Sequence, residues 1–167
     1  MASEPALAVI GAPLVELREI WVYLTGTPLL SLVPALLALA CGGAVSIASS
    51  VGLATFAGLP PELVAPFYAK SVTAPIAMGV AETIGASPTL TAVYSVCTGI
   101  LGAILARYVL DALRVVPWWQ RGLAVGVAAH GIGTSRAFSV SPEAGAFASL
   151  GMGLHGIAGA LVIPWLV

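Results

Sequence analysis

The sequence predicts an all-α, polytopic helical membrane protein with two discontinuous, broken transmembrane segments. Three observations predict this class. Of the 167 residues, 59% are hydrophobic and only 8% are charged, whereas soluble domains carry about a quarter of their residues as charges. Several apolar runs reach the roughly 20 residues that a helix needs to cross a bilayer. Two of these runs contain a cation next to Pro or Gly residues.

This composition excludes a soluble globular enzyme, a disordered chain and a nucleic-acid binder, since no basic patch is present. We expect one transmembrane domain over residues 1–167, in the lipid bilayer of the inner (plasma) membrane with several passes. Two scattered His residues and few acids do not form a metal-ligand pattern, so we expect no metal and no cofactor.

The first elements follow from the spacing of the charges. Residues 5–15 are too short to span and are predicted to be the end of a crossing segment. Residues 21–27 are predicted to lie at the interface, and residues 28–56 to form one tilted span. The Gly- and Pro-containing stretch 58–62 then predicts a turn followed by a helix start.

The middle of the chain contains the first interrupted segment. Residues 63–84 are apolar, but Lys70 and Pro75 fall inside them. A Ser-Pro pair then predicts a helix start, with Ser87 as the N-cap and the proline at the first helical position. This helix is expected to span the membrane as far as Leu110.

The last third contains the second interrupted segment. Residues 107–121 hold three of the six basic residues, so the positive-inside rule places this loop in the cytoplasm. Residues 122–137 are apolar but are broken at residues 130–136. A second Ser-Pro pair, at Ser141, predicts the start of a final span from Ala144 to the C-terminus.

Small residues recur every four positions within the spans, a spacing that lets helices approach closely. We interpret these residues as packing seams between helices rather than as binding sites. They are Gly42, Ser46 and Ser50, then Gly99 and Ala103, then Gly145, Ser149 and Gly153.

The two breaks are the candidate functional site. Each combines one cation, two hydroxyl side chains and a backbone irregularity. The first contains Lys70, Ser71, Thr73 and Pro75; the second contains Gly131, Gly133, Thr134, Ser135 and Arg136. Interrupted helices at corresponding places in a chain are typical of the binding sites of secondary transporters. Free N–H groups beside two cations favour a small anion such as a carboxylate.

Other interpretations of these residues remain open. Lys70 could extend to the interface from a shallow hairpin, and Arg136 could belong to a loop after a short span. Glu82 could carry a coupling proton, pair with Arg136, or lie at a helix end near the interface. His130 could be a proton relay or could be hydrogen-bonded to backbone at the break.

Residues 70–78 (KSVTAPIAM) and 130–137 (HGIGTSRA) together resemble the LrgB/CidB family of membrane proteins. The motifs between them, at 90–93 (LTAV) and 98–102 (TGILG), are also similar to the family. The resemblance covers nearly the whole chain. Family members usually carry additional transmembrane segments before the point at which this chain starts, so the resemblance implies an N-terminally short LrgB-like domain.

The resemblance implies two functions, neither of them enzymatic. One is transport of a small monocarboxylate such as pyruvate, glycolate or glycerate, and the residues of the breaks favour it. The alternative is a holin/antiholin-like oligomer that modulates murein hydrolase activity or cell lysis. The implied partner is a small LrgA/CidA-like membrane subunit in a homo- or hetero-oligomer. The expected substrate-binding residues are Lys70, Ser71, Thr73, Gly131, Gly133, Thr134, Ser135 and Arg136, with Glu82 or His130 for proton coupling.

Overall fold

The computed structural model describes residues 32–167, and every regular element within this range is helical. Three helices there are long and apolar enough to cross a membrane. The elements in chain order are α1 (Leu32–Phe56), α2 (Pro61–Val64), a 3₁₀ turn (Ala65–Tyr68), α3 (Ala74–Thr83), α4 (Pro88–Ala112), α5 (Trp118–Phe138), α6 (Pro142–Val162) and a second 3₁₀ turn (Ile163–Trp165). The three potential spans are α1, α4 and α6, the last together with the second 3₁₀ turn. The segments predicted at 5–15 and 21–27, and the start of 28–56, lie outside the described residues.

The helix starts predicted from the two Ser-Pro pairs are confirmed. The Ser87 hydroxyl accepts a hydrogen bond from the Leu90 N–H at 3.3 Å, and the Ser141 hydroxyl accepts one from the Ala144 N–H at 3.4 Å. Each bond satisfies a backbone donor that the first turn of a helix leaves unpaired. The first span ends at Phe56, as predicted.

The stretch predicted as one interrupted segment at 63–84 contains two short helical pieces and no continuous helix. Helix α2 and the 3₁₀ turn end at Tyr68, and α3 begins at Ala74 with Pro75 in its first turn. Pro75 therefore starts a new helix and does not kink an existing one, because its missing N–H costs nothing at that position. Residues 69–73 form a non-helical connection between the two pieces.

Helix α5 packs tightly against α6. A Cβ on Gly122 would overlap the Ala144 carbonyl, and a Cβ on Gly126 would overlap the Ala148 carbonyl. Only glycine permits this approach of two backbones. The chain advances by four residues on both helices between these two contacts, from Gly122 to Gly126 on α5 and from Ala144 to Ala148 on α6. The first half of α5 therefore runs parallel to α6.

Helix α5 reverses direction at His130. The backbone of this residue has φ 39° and ψ −131°, which is not helical. A Cβ on Gly133 would lie 2.5 Å from the Ala129 Cβ and 2.9 Å from Val125 Cγ1, and Val125 packs against a buried cluster that contains Ala137. On a straight helix, residues 125 and 137 would be about 18 Å apart. The second half of α5 therefore returns alongside the first.

Candidate functional site

The non-helical connection at residues 69–73 holds Lys70 against α1. The Lys70 ammonium donates a hydrogen bond to the Ser46 hydroxyl at 3.1 Å and makes a longer contact of 3.5 Å with the Ser71 hydroxyl. The Ser46 and Ser71 hydroxyls are hydrogen-bonded to each other. Lys70 is half-buried and Ser71 is buried. The Lys70 ammonium and the Ser71 hydroxyl, from residues 69–73, thus lie together with the Ser46 hydroxyl of α1.

Two ion pairs form among residues 32–167, and both join an arginine to Asp111. No carboxylate in this range therefore lies within 4 Å of the Lys70 ammonium. Partial burial of an ammonium group costs free energy, because it removes the charge from water. Neutral hydroxyls offset only part of such a cost, so an external anion at this point would be stabilised by the Lys70 ammonium.

The reversal in α5 brings His130 to the interior of the protein. Its imidazole Nε2 lies 2.9 Å from the Ser95 carbonyl oxygen and 3.3 Å from the Ser95 hydroxyl. The Ser95 hydroxyl is 2.6 Å from the Val72 carbonyl oxygen, to which it donates. Since both neighbours of Nε2 accept, this network places a proton on Nε2.

Ser95, on α4, therefore connects the non-helical residues 69–73 to the reversal of α5 at His130. It contacts Val72 in the non-helical connection 69–73 and His130 at the reversal of α5. Both Ser95 and His130 are buried, and a Cβ on Gly99, one turn further along α4, would lie 2.6 Å from the His130 ring. Hydrogen bonds of Ser95 therefore connect the two irregular stretches across α4.

A cavity of about 890 Å³ lies beside the first break, between α1, α4 and α5. We refer to it as the Lys70 cavity. Half of its lining residues are Ala, Leu and Val. Its polar lining comprises Ser46, Lys70, Thr98, Trp119, Gln120 and His155. Such a space, apolar with a few convergent polar groups, is typical of small-molecule sites.

A second cavity, of about 360 Å³, is lined by three arginines. It is lined by Arg107, Asp111, Arg121 and Arg136, together with Trp118 and apolar side chains. We refer to it as the arginine cavity. Arg136 reaches it because the second half of α5 returns toward Arg121, at the start of the same helix.

The structure brings together some of the predicted site residues and separates others. Thr134 is buried and donates to the His130 carbonyl at 2.7 Å. Ser135 and Arg136 are exposed, and Arg136 donates to the Ser139 hydroxyl at 2.7 Å. Lys70 and Arg136 line different cavities.

The remaining predicted residues lie around these contacts. Thr73 is half-buried at the N-cap of α3, where its side chain makes no capping hydrogen bond. Gly131 is half-buried beside Met152, and Gly133 is buried against the first half of α5. Glu82 is exposed at the next-to-last residue of α3, and within residues 32–167 it forms no ion pair with either predicted cation.

Three polar residues were not predicted as part of the site. Ser46 was interpreted as a packing residue, yet its hydroxyl is the nearest partner of Lys70. Ser95 and His155 are buried, the first between the breaks and the second in the wall of the Lys70 cavity. In the sequence each of them is a single polar residue inside an apolar helix. Sequence spacing alone does not show that such a residue lies near Lys70.

Residues 23–167 match the LrgB-like family. The chain belongs to this family. It is 36% identical over 132 residues to the protein YwbG of Bacillus subtilis, covering 79% of this chain and 59% of that protein. It is 31% identical over 110 residues to the Holin-like protein CidB of Staphylococcus aureus, covering 66% of this chain and 48% of CidB.

A protein of Haemophilus influenzae is 38% identical over 114 residues, covering 68% of this chain and 49% of that protein. This LrgB-family chain therefore spans about half the length of the curated relatives it matches. No solved structure matches it. The family resemblance expected from the motifs at 70–78 and 130–137 is confirmed.

Proposed function

We propose that this LrgB-family chain forms part of a membrane carrier for a small anion, of the monocarboxylate class to which pyruvate, glycolate and glycerate belong. The observation that carries the proposal is Ser95, which joins the connection at Val72 to the reversal at His130. Two irregular segments that meet inside a helical membrane protein are the usual construction of a transporter site. In this proposal both irregular segments are discontinuous membrane segments.

The anion is proposed to bind at Lys70. Its carboxylate would accept hydrogen bonds from the Lys70 ammonium and from the Ser46 and Ser71 hydroxyls, which at present satisfy one another. Charge-assisted hydrogen bonds of this kind are about twice as strong as neutral ones. The apolar walls of the Lys70 cavity would exclude water from the rest of a small organic anion.

Alternating access would require the two breaks to separate on one side at a time. In such a movement the hydrogen bonds of Ser95 to Val72 and His130 would break on one side and re-form on return, and because both bonds are buried, other polar groups would have to satisfy these atoms in the open state. Helix α1 forms one wall of the Lys70 cavity, and its movement relative to α4 would open the site.

The test is uptake of radiolabelled pyruvate and glycolate into cells that express this chain, with and without an LrgA-like partner subunit. Lys70→Ala and Arg114→Ala form a matched pair, since Arg114 is an exposed cation that lines neither cavity. We expect saturable uptake that Lys70→Ala abolishes and Arg114→Ala retains. Equal uptake by both variants at matched expression would contradict an anion site at Lys70.

The comparisons favour a second function more directly, because the relatives in S. aureus and Staphylococcus epidermidis carry the name Holin-like protein CidB. In this proposal the chain acts as a holin/antiholin-like oligomer that modulates murein hydrolase activity or cell lysis, without a substrate. Gly153 on α6 is exposed and has open space around the position of a Cβ. It is therefore available to a neighbouring helix of a second copy or of a partner subunit.

The two functions predict opposite mutational patterns. If the holin-like function is correct, Gly153→Leu reduces oligomer size and membrane leakage, and Lys70→Ala changes neither. If the carrier function is correct, Lys70→Ala abolishes uptake and Gly153→Leu leaves it in place. Chemical cross-linking in membranes, dye leakage and radiolabelled uptake on the same two variants separate the proposals.

A further inference from the structure

The arginine cavity contains an excess of positive charge that neither proposed function uses. Three arginines and one aspartate line it, which gives a net charge of plus two. Asp111 is already paired, at 2.7 Å with Arg121 and at 3.8 Å with Arg107. Arg136 has a serine hydroxyl as its partner and no carboxylate within 4 Å among residues 32–167.

One of these guanidinium groups is held in a fixed position. The Arg121 side chain is only 16% exposed. It donates to the Val115 carbonyl at 2.9 Å, and its guanidinium carbon lies 5.4 Å from the centre of the Trp118 ring. A guanidinium fixed in this way is pre-organised for planar oxyanions, because little side-chain freedom is lost on binding. Arg107 and Arg136 are exposed and can close over a ligand.

The surroundings of the cavity are apolar. Its floor is formed by small and aliphatic side chains, which include Ala103, Leu110 and Ala144. Tyr108, Leu113 and Val116 nearby on the chain are 66%, 68% and 77% exposed. A ligand that carries both an oxyanion and long hydrocarbon chains would match the guanidinium groups and these exposed apolar side chains together.

We propose that the arginine cavity binds the phosphate headgroup of an anionic phospholipid. Arg136, returned by the reversal of α5, joins Arg107, Arg114 and Arg121 at one end of the molecule, so that four of the six basic residues lie there. The positive-inside rule assigns such an end to the cytoplasmic leaflet. Basic pockets between helices on that side of a membrane are typical lipid-headgroup sites.

The test is native mass spectrometry of the full purified chain with phosphatidylglycerol and with phosphatidylcholine. We expect phosphatidylglycerol to be retained preferentially. Each of Arg107→Gln and Arg136→Gln should weaken its binding about tenfold or more, since each removes a charge-assisted hydrogen bond to the phosphate. Arg114→Gln is the matched control, because it removes a charge from the same end without touching the cavity.

Three outcomes would overturn the proposal: no preference between the two lipids, an equal loss in Arg114→Gln, or saturable stabilisation by inorganic phosphate with no response to phosphatidylglycerol. The last would assign the same guanidinium groups to a soluble phosphate. Circular dichroism of each variant ensures that a lost lipid does not reflect a lost fold. These measurements are independent of transport and of lysis.

Discussion

His130 donates from Nε2 to the carbonyl oxygen of Ser95 at 2.9 Å, and this contact joins the reversal of α5 to α4. The hydroxyl of the same serine continues the network to the Val72 carbonyl at 2.6 Å. All three residues are buried. One residue on an otherwise regular helix, through its carbonyl and its hydroxyl, therefore links the two irregular stretches of the chain.

Ser95→Ala is expected to lower the stability of the protein. It leaves the Val72 carbonyl without its hydrogen-bond donor, and a buried unsatisfied group costs about 1–3 kcal/mol. Thermal unfolding in detergent measures the effect. Ser49→Ala is the control, because the Ser49 hydroxyl is exposed and bonds only to a carbonyl of its own helix. Equal melting temperatures for the two variants would mean that the Ser95 link is not structurally important.

Substitution of His130 should reverse the usual order of glycine and alanine in helices. Glycine normally destabilises a helix by about 1 kcal/mol relative to alanine. At His130 the backbone has φ 39°, a region that glycine adopts without the steric cost that a Cβ imposes.

Both variants lose the same hydrogen bond, so His130→Gly is expected to be more stable than His130→Ala. Denaturant unfolding of the pair measures the difference. A less stable glycine variant would indicate that residue 130 lies in a continuous helix.

The reversal of α5 can be tested by cross-linking. Val125 packs against the buried cluster that contains Ala137, although the two residues are separated by twelve positions. We expect Val125→Cys with Ala137→Cys to be bridged by a short bis-methanethiosulfonate reagent, in a background without Cys41 and Cys97.

The matched control is Val96→Cys with Tyr108→Cys, which has the same separation on the regular helix α4. Residues twelve apart on such a helix are about 18 Å apart, beyond the reach of the reagent. A mass shift from bridging in both pairs, or in neither, would contradict the reversal.

Much of the fold could be predicted from the sequence because it depends on local chemistry. The Ser-Pro helix starts at Ser87 and Ser141 and the end of the first span at Phe56 were all predicted correctly. For the second segment the sequence predicted a break at residues 130–136, but not that the chain turns back at His130. The close return of the chain depends on Gly133, because its missing side chain lets the second half of α5 contact the first. Contacts of this kind produce no regular spacing of apolar residues from which they could be predicted.

The site was less predictable because it is assembled across elements. Lys70 and Ser71 were identified from their position in the first break, and they do contact each other. Their partner Ser46 lies 24 residues before Lys70 on α1, where a serine among small residues is indistinguishable from a packing position. The separation of Lys70 from Arg136 depends on the direction of the chain after His130, which composition does not specify.

Lys70→Met is expected to separate stability from function. Methionine has a similar length and removes a half-buried charge that has no acidic partner among residues 32–167. Because burying such a charge costs free energy, the variant should melt at the same temperature as the parent chain or at a higher one. Under the carrier function it should nevertheless lose saturable anion uptake.

Arg114→Met, an exposed position, should change neither property. A marked fall in melting temperature for Lys70→Met would show that the ammonium has a structural role at the first break. The hydrogen bond from Lys70 to Ser46 would then be a contact that fastens α1 to residues 69–73, and the anion site would have to be sought elsewhere in the cavity.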